Sequence, residues 1–355
     1  MQQKQMRITL LIGLVYAAVS MYVMFAAVMN RIVVIEDGGQ QEMLSGANSM
    51  EKADENSAWR NLLLKAEADR KEDIIIPLEE DTKAEDVTIE NHYMDQEIWV
   101  SIGGIEKYFY TKNEIGGNLA LVESALYERD DGNVWMKFKL NGIYELKSVL
   151  EEHSLCIEMA KPTEIYEHII VVDPWYGGED TGGKEQGTTE EQVTLDIAKR
   201  MEDKMRSEDA VKLYYTSMGE GRPSLEARMQ IIEETAADFY VGITVNQTDD
   251  TAMYGLEAVY NDSYFIPQAG SVELADALVR NAAIAVSGRA NGLIQAEEGD
   301  LIIQSASIPA AVLKVGYLSN GKEAELLNSE DYRDRLAEGI CNAIKEFYER
   351  SENVE

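Results

Sequence analysis

HIIVVDPWYGGEDTGG, His168 to Gly183, joins an apolar run to a glycine-rich turn. The run reads as a buried strand that Asp173 and Pro174 bring to a stop. In an α/β domain such a strand end is where sites are built, because loops leaving neighbouring strand ends converge on one crevice. A site is therefore expected just after Val172.

Working outward from this stretch toward the C-terminus, strand and helix signals alternate from His168 to about Tyr348, which predicts a mostly parallel central sheet with helices on both faces. Thr188 and Thr189 stand before Glu190 and Glu191, an acidic first turn that suits the positive end of a helix dipole. Val193, Ile197, Met201 and Met205 then recur every fourth residue with Ala198 beside them, one face for packing on the sheet. AVKLYYT is the next strand, a helix spans Leu225 to Ala236, and ADFYVGITVN and LEAVYND are strands. Ser271 is placed as the cap of a helix running to Ser287. LIIQSA and AAVLKVGYLSN are read as the last two strands. The terminal helix, Glu330 to Arg350, gathers Tyr332, Leu336, Ile340, Ile344 and Phe347 on one face.

Toward the N-terminus the pattern changes. Residues 84–165 carry short alternating runs rich in aromatic and β-branched residues, punctuated by Gly103-Gly104 and by Asp130 to Gly132, which predict a small antiparallel β domain. Residues 36–83 are acidic and polar, read as a stalk with one possible helix around Ala47 to Lys71. Ile8 to Asn30 contains no charged residue, long enough for a membrane-spanning helix and longer than the apolar core of a cleaved signal peptide. Residues 1–35 are thus expected to be a cytoplasmic tip and single-pass anchor. Lys4 and Arg7 precede the run and Glu36 and Asp37 follow it, which leaves the N-terminus cytoplasmic and the bulk of the chain extracytoplasmic at the cell membrane.

The 355 residues contain 32 Lys and Arg against 65 Asp and Glu, a formal charge of -33. Nucleic-acid binding is excluded on this balance, since phosphate contacts need a basic face. Cys156 and Cys341 are far apart and offer neither a metal spacing nor a disulfide framework. Cys341 falls in the terminal amphipathic helix, as a buried thiol.

DPWYGGEDTG, EEQVTLDIAKRM, ADFYVGITVN, GLEAVY, PAAVLKVGYLSN and the ELL and AEGI of the last helix follow one another in a characteristic order. Together they resemble the zinc-dependent N-acetylmuramoyl-L-alanine amidases that cut cell-wall peptidoglycan, over residues 166–355. The preceding segment is similar in size and ending to the AMIN-type β-sandwich of such amidases; a small structural sheet without a ligand is the equal alternative. In the family, two histidines and one glutamate hold zinc, and a further glutamate is the general base acting on zinc-bound water. The resemblance puts the first histidine at Tyr176, the ligand glutamate at Glu190, the second histidine at Thr244 with Asn246 kept beside it, and the general base at Lys314. Only Glu190 is retained, so no catalytic set is intact and zinc is expected to be lost.

Lys314 is then expected to face Glu190, an ion pair where cation and ligand had been, with Tyr176 and Thr244 supplying hydroxyls. Trp175 and Tyr176 at the mouth either stack on a sugar or protein surface or fill the void left by the metal. With Glu190, Thr244, Asn246 and Lys314 they make up the candidate groove. The function expected is an inactive amidase-fold protein that binds or regulates at the peptidoglycan wall, with peptidoglycan or a cell-wall or membrane protein as partner. An active amidase using an unfamiliar metal set or no metal is the alternative, and a purely structural ectodomain a third.

Overall fold

In a computed structural model, the described residues are 35–37, 59–130, 132–175, 182–185, 187–219, 221, 223–261, 269–297 and 301–352. The anchor predicted over Ile8 to Asn30 lies outside them. Among the described residues no helix is long and apolar enough to cross a membrane. They form two compact units that divide between Ala160 and Lys161.

The C-terminal unit contains six main strands: β1 (His168–Pro174), β2 (Val211–Tyr215), β3 (Phe239–Asn246), β4 (Leu256–Tyr260), β5 (Ala290–Gln295) and β6 (Ala310–Tyr317). They lie side by side in the order β2-β1-β3-β6-β4-β5. All neighbouring pairs are parallel except β4 with β6, which is antiparallel. The sheet is therefore mixed, with β4 and β5 reversed.

Period-two alternation divides the strand residues between two helical layers. Ile170, Val172, Val241, Ile243, Leu313 and Val315 join one core with helices α1 (Glu190–Met205), α3 (Ser271–Val286) and α6 (Glu330–Glu352). The predicted stripes are the ones buried: Val193, Ile197, Ala198 and Met201 on α1, and Leu336, Ile340 and Ile344 on α6, are all 0% exposed. Thr189 caps α1, its hydroxyl accepting from the Gln192 N–H at 3.2 Å. The opposite face, which carries Asp173, Thr244 and Lys314, meets the shorter α2 (Leu225–Thr235) and α4 (Leu301–Ser305). Between β6 and α6 in sequence lies the short α5 (Gly321–Leu327). The unit's two ends are stitched together: the His168 ring stacks on Tyr348 at 4.3 Å, and Phe239 meets Phe347 edge-on at 4.9 Å.

Two local expectations are corrected. LIIQSA is helix α4 rather than a strand; Ile302, Ile303 and Ala306 are buried at the spacing i, i+1, i+4 of a helical face. The strand in that region is the edge strand β5, whose mostly exposed ANGLIQ carries little apolar signal. Ser271 is the first residue of α3 and not its cap, which is Gly270; the Ser271 hydroxyl instead accepts from the Ala310 N–H at 3.0 Å, tying the helix to the start of β6.

The N-terminal unit holds a six-stranded and a five-stranded sheet, mostly antiparallel, whose inner faces share one apolar core. Residues 59–83, expected to be stalk, supply strands to it: Arg60–Asn61, Lys65–Ala66 and Ile74–Pro77. Leu62 and Leu64 pack on that core while Leu63 is 92% exposed. That alternation of two is a strand's, and it overrides the helix predicted to reach Lys71. Cys156 and Cys341 are both buried free thiols in different units, and burial pushes Cys341 up to about 12.

Candidate functional site

Three strands of the C-terminal unit bring the predicted site residues together. Thr244 on β3 is the direct neighbour of Lys314 on β6, and Lys314 is in turn the direct neighbour of Glu257 on β4. Paired residues of adjacent strands project to the same face, so Thr244, Lys314 and Glu257 form one row across the sheet. Thr244 is 8% exposed, and the side chains of Lys314 and Glu257 are 27% and 11% exposed.

Lys314 does not pair with Glu190 as expected. Its Nζ lies 3.6 Å from Glu257 Oε1. The reversed strand β4 sets Glu257 beside Lys314, whereas Glu190 opens helix α1 of the other layer. The Glu257 carboxylate has further partners. Asn246 Nδ2 donates to Oε1 at 2.5 Å, and the Tyr317 hydroxyl donates to Oε2 at 3.2 Å. Burial, and then the Glu257 charge, push the Tyr317 phenol up to about 12, which keeps it a donor.

A bulge makes this convergence possible. Thr244 pairs with Lys314 but Asn246 pairs with Tyr317, so β6 carries one extra residue there. Gly316 sits at φ +143, a conformation open to glycine, and the extra residue turns Tyr317 onto the same face as Lys314. Glu323, in the first turn of α5, locks the same corner by accepting from the Gly255 N–H at 2.8 Å and the Tyr317 N–H at 2.7 Å. Burial raises its carboxyl above the ordinary range, against the pull of these two bonds.

A second polar cluster lies on the same face at the end of β1. Asp173 is fully buried; Thr216 Oγ1 donates to its Oδ1 at 2.5 Å and the Tyr240 hydroxyl donates to Oδ2. Arg228, 4% exposed on α2, brings Nη1 to 3.2 Å from the same Oδ2. Burial first, then Asp173, hold the Tyr240 phenol well above its usual value. Arg228 also donates from Nη2 to the Trp175 carbonyl at 3.1 Å and stands over the Trp175 ring, 5.4 Å from its centre. The Trp175 N–H donates to the Ile243 carbonyl at 3.0 Å. Trp175 is thus pinned by its backbone next to Thr244.

Glu190 is 2% exposed, and the Gly182-Gly183 turn closes over its carboxylate. A methyl group at Gly182 would stand 2.9 Å from Glu190 Oε2, and one at Gly183 2.8 Å from Oε1 and 2.2 Å from Gln247 Oε1. Tyr176 lies outside the described residues. Among those described, no group of three His, Cys, Asp or Glu side chains is arranged to hold a metal ion.

Sequence reading found Thr244, Asn246, Lys314, Glu190 and Trp175 but passed over Glu257, Tyr317, Asp173 and Arg228 as site residues. Two of these carry a visible signal. Glu257 is an acid inside the apolar strand LEAVY, and Arg228 shares a helical stripe with the buried Ile231, Ile232 and Thr235.

Comparison with known proteins finds a match of residues 170–346 to the family described as N-acetylmuramoyl-L-alanine amidase. The N-acetylmuramoyl-L-alanine amidase LytC of Bacillus subtilis is 27% identical over 179 residues, 50% of this chain and 35% of LytC. The germination-specific N-acetylmuramoyl-L-alanine amidase of the same organism is 27% identical over 193 residues, 51% of this chain and 79% of the relative. Among solved structures, the catalytic domain of CwlV, an N-acetylmuramoyl-L-alanine amidase from Bacillus (Paenibacillus) polymyxa var. colistinus, aligns with a TM-score of 0.47 at 26% identity, over 52% of this chain and 99% of that one.

Proposed function

Residues 170–346 belong to the N-acetylmuramoyl-L-alanine amidase family, and from that premise we propose that this chain acts at the peptidoglycan cell wall as a binding or regulatory protein without hydrolytic activity of its own. The observation that carries the reading is the Lys314–Glu257 ion pair. Lys314 stands where the resemblance places the general base, and an ammonium group cannot take a proton from water. Glu257, the nearest carboxylate, is engaged by Asn246, Tyr317 and Lys314 together.

The donor chemistry supports the same reading. Catalytic zinc takes three protein ligands drawn from imidazole, thiolate and carboxylate. Thr244 offers a neutral hydroxyl, Lys314 a cation that repels another, and Glu190 a single carboxylate closed over by glycine. These residues do not fit the ion, and no step is assigned to it. The N-terminal apolar run is proposed as the anchor that keeps the two units at the outer membrane surface, with peptidoglycan or a wall-associated protein as partner.

Zinc content of the purified protein, measured together with dye release from labelled sacculi and cosedimentation with unlabelled ones, tests the proposal. Binding to sacculi with no release and substoichiometric zinc is expected. Zinc near one equivalent, with release abolished by a chelator, would overturn it in favour of an active amidase.

A further inference from the structure

The C-terminal sheet ends at β5, and its outer edge is open among the described residues. Beyond the bulge that separates Ala290 from Gly292, the Ala296 N–H donates to the Tyr260 carbonyl at 2.8 Å. Alternate residues of a parallel strand turn both backbone groups to the same neighbour, so Gly292, Ile294 and Ala296 serve β4 while Leu293 turns its N–H and C=O outward. No other described residue bonds to them. From Ala290 to Gln295 the strand carries no charge and no proline, the residues that ordinarily blunt such an edge. Helix α3 runs beside it across a groove lined by Val279, Ala283, Ile284 and Leu293. Large apolar side chains stay exposed around this groove: Val272 at 39%, Ile284 at 69% and Ile294 at 38%.

Symmetry and charge decide what fits this edge. Val272, Asp276, Arg280 and Ile284 form one row of α3 at a spacing of four residues. Turned end for end about Leu278, the row is complementary to itself: Val272 comes opposite Ile284, and Asp276 opposite Arg280. The Asp276 and Arg280 side chains are 56% and 40% exposed, and Arg280 is held in place by Asp276 at 3.5 Å and Glu346 at 2.5 Å. β5 is self-complementary in the same sense about Leu293, with Arg289 four residues before it and Glu297 four residues after. The two centres are level. Leu278 lies about 12 Å back along the helix from its end at Val286, at 1.5 Å per residue, and Leu293 lies about 10 Å along the strand from its start at Ala290, at 3.3 Å per residue. A short turn joins those two ends, so one two-fold axis serves helix and strand together.

We propose that this edge is a two-fold interface between copies of the chain. Strand β5 pairs antiparallel with β5 of a second copy, each Leu293 N–H donating to the other Leu293 carbonyl, and α3 packs beside α3. A contact of this kind requires one patch that is complementary to itself. The charges that meet across the axis balance, Asp276 and Glu297 against Arg280 and Arg289, so this surface is spared much of the repulsion that a chain charge of -33 imposes elsewhere.

Cysteine cross-linking of the full chain in non-ionic detergent, with sedimentation velocity alongside, tests it; the native Cys156 and Cys341 are buried. L293C is expected to give a disulfide-linked dimer on non-reducing gels, because residues paired in an antiparallel ladder have Cα atoms about 5.5 Å apart, within disulfide reach. I294C is expected to give none, since its two copies are offset along the strands to roughly 8 Å. D276R, which sets arginine opposite arginine, is expected to lower the dimer fraction severalfold, and D276R/R280D, which exchanges the charges and keeps the patch self-complementary, to restore it. The charge series is read by sedimentation without any cysteine and serves if L293C fails to fold. Equal cross-linking at 293 and 294, a dimer fraction that D276R leaves unchanged, or no rescue by the exchange would overturn the inference. A monomeric full chain would overturn it too, and would leave the edge to a strand of another protein.

Discussion

Lys314 and Glu257 face each other across an antiparallel strand pair, 3.6 Å apart, on the one boundary where the sheet reverses direction. Truncating Glu257 to alanine strands three groups at once: the Lys314 charge, the Asn246 amide and the Tyr317 hydroxyl. A loss of about 1–3 kcal/mol is expected for E257A, read by urea unfolding. The double variant K314M/E257A should lose less than the sum of the K314M and E257A losses, and additive losses would show that the pair is not coupled.

The buried Asp173–Arg228 pair should be more sensitive. Both side chains are at most 5% exposed, so R228M leaves a carboxylate in the core with only two hydroxyl donors. Removing one partner of a buried pair costs about 3–5 kcal/mol. A red shift of tryptophan emission should accompany it, because Trp175 loses its carbonyl tether. A wild-type melting curve for R228M would show that the cluster is inert.

Gly182 is predicted to be intolerant of any side chain, and Gly183 to accept one only if the Gln247 and Glu190 side chains move. G183A forces a methyl group to within 2.2 Å of Gln247 Oε1 and 2.8 Å of Glu190 Oε1, and Gly182 in addition sits at φ +67. Overpacking of this kind costs about 1–3 kcal/mol. Pairing G182A with E190A, which empties the facing space, should restore part of the loss; no restoration would place the strain in the backbone alone.

Acid should loosen the junction of α1 with α6. Burial pushes the Asp196 carboxyl up, but Arg200 at 2.8 Å and Arg333 at 2.5 Å together hold it below the ordinary range. A carboxyl depressed in the folded state contributes stability above its unfolded value, about 3.9, and loses that contribution as pH falls through the folded value. The melting-temperature gap between wild type and D196N should therefore be widest near neutral pH and close below about pH 4. A gap that stays constant with pH would rule out this linkage.

Much of the C-terminal unit was legible because its signals are local. The every-fourth-residue stripe of α1 and the apolar face of α6 are buried as the spacing requires, and β1 ends where Asp173 and Pro174 stop it. The partner of Lys314 was not legible, because it depends on β4 running against β6, and the direction of a strand leaves no trace in its own residues. Edge strand β5 was passed over for a related reason: it buries little, so composition does not mark it, while the more apolar LIIQSA nearby forms a helix. In the N-terminal unit, acidity concealed a period-two pattern at Leu62 to Leu64 that the sheet makes use of.

The stacking of His168 on Tyr348 places the first strand of the C-terminal unit against its last helix. Entry and exit of this half of the chain are therefore near neighbours in space. A circular permutant that joins residue 352 to residue 166 through a short glycine-serine bridge, with new ends opened at the Ser287–Gly288 turn after α3, is expected to fold with an unchanged circular dichroism spectrum. For the same reason, deleting the chain from Phe347 onward removes the ring contacts of His168 and Phe239 and should loosen the start of β1 within the sheet, detectable as faster amide exchange at Ile169 and Ile170 than in the full chain.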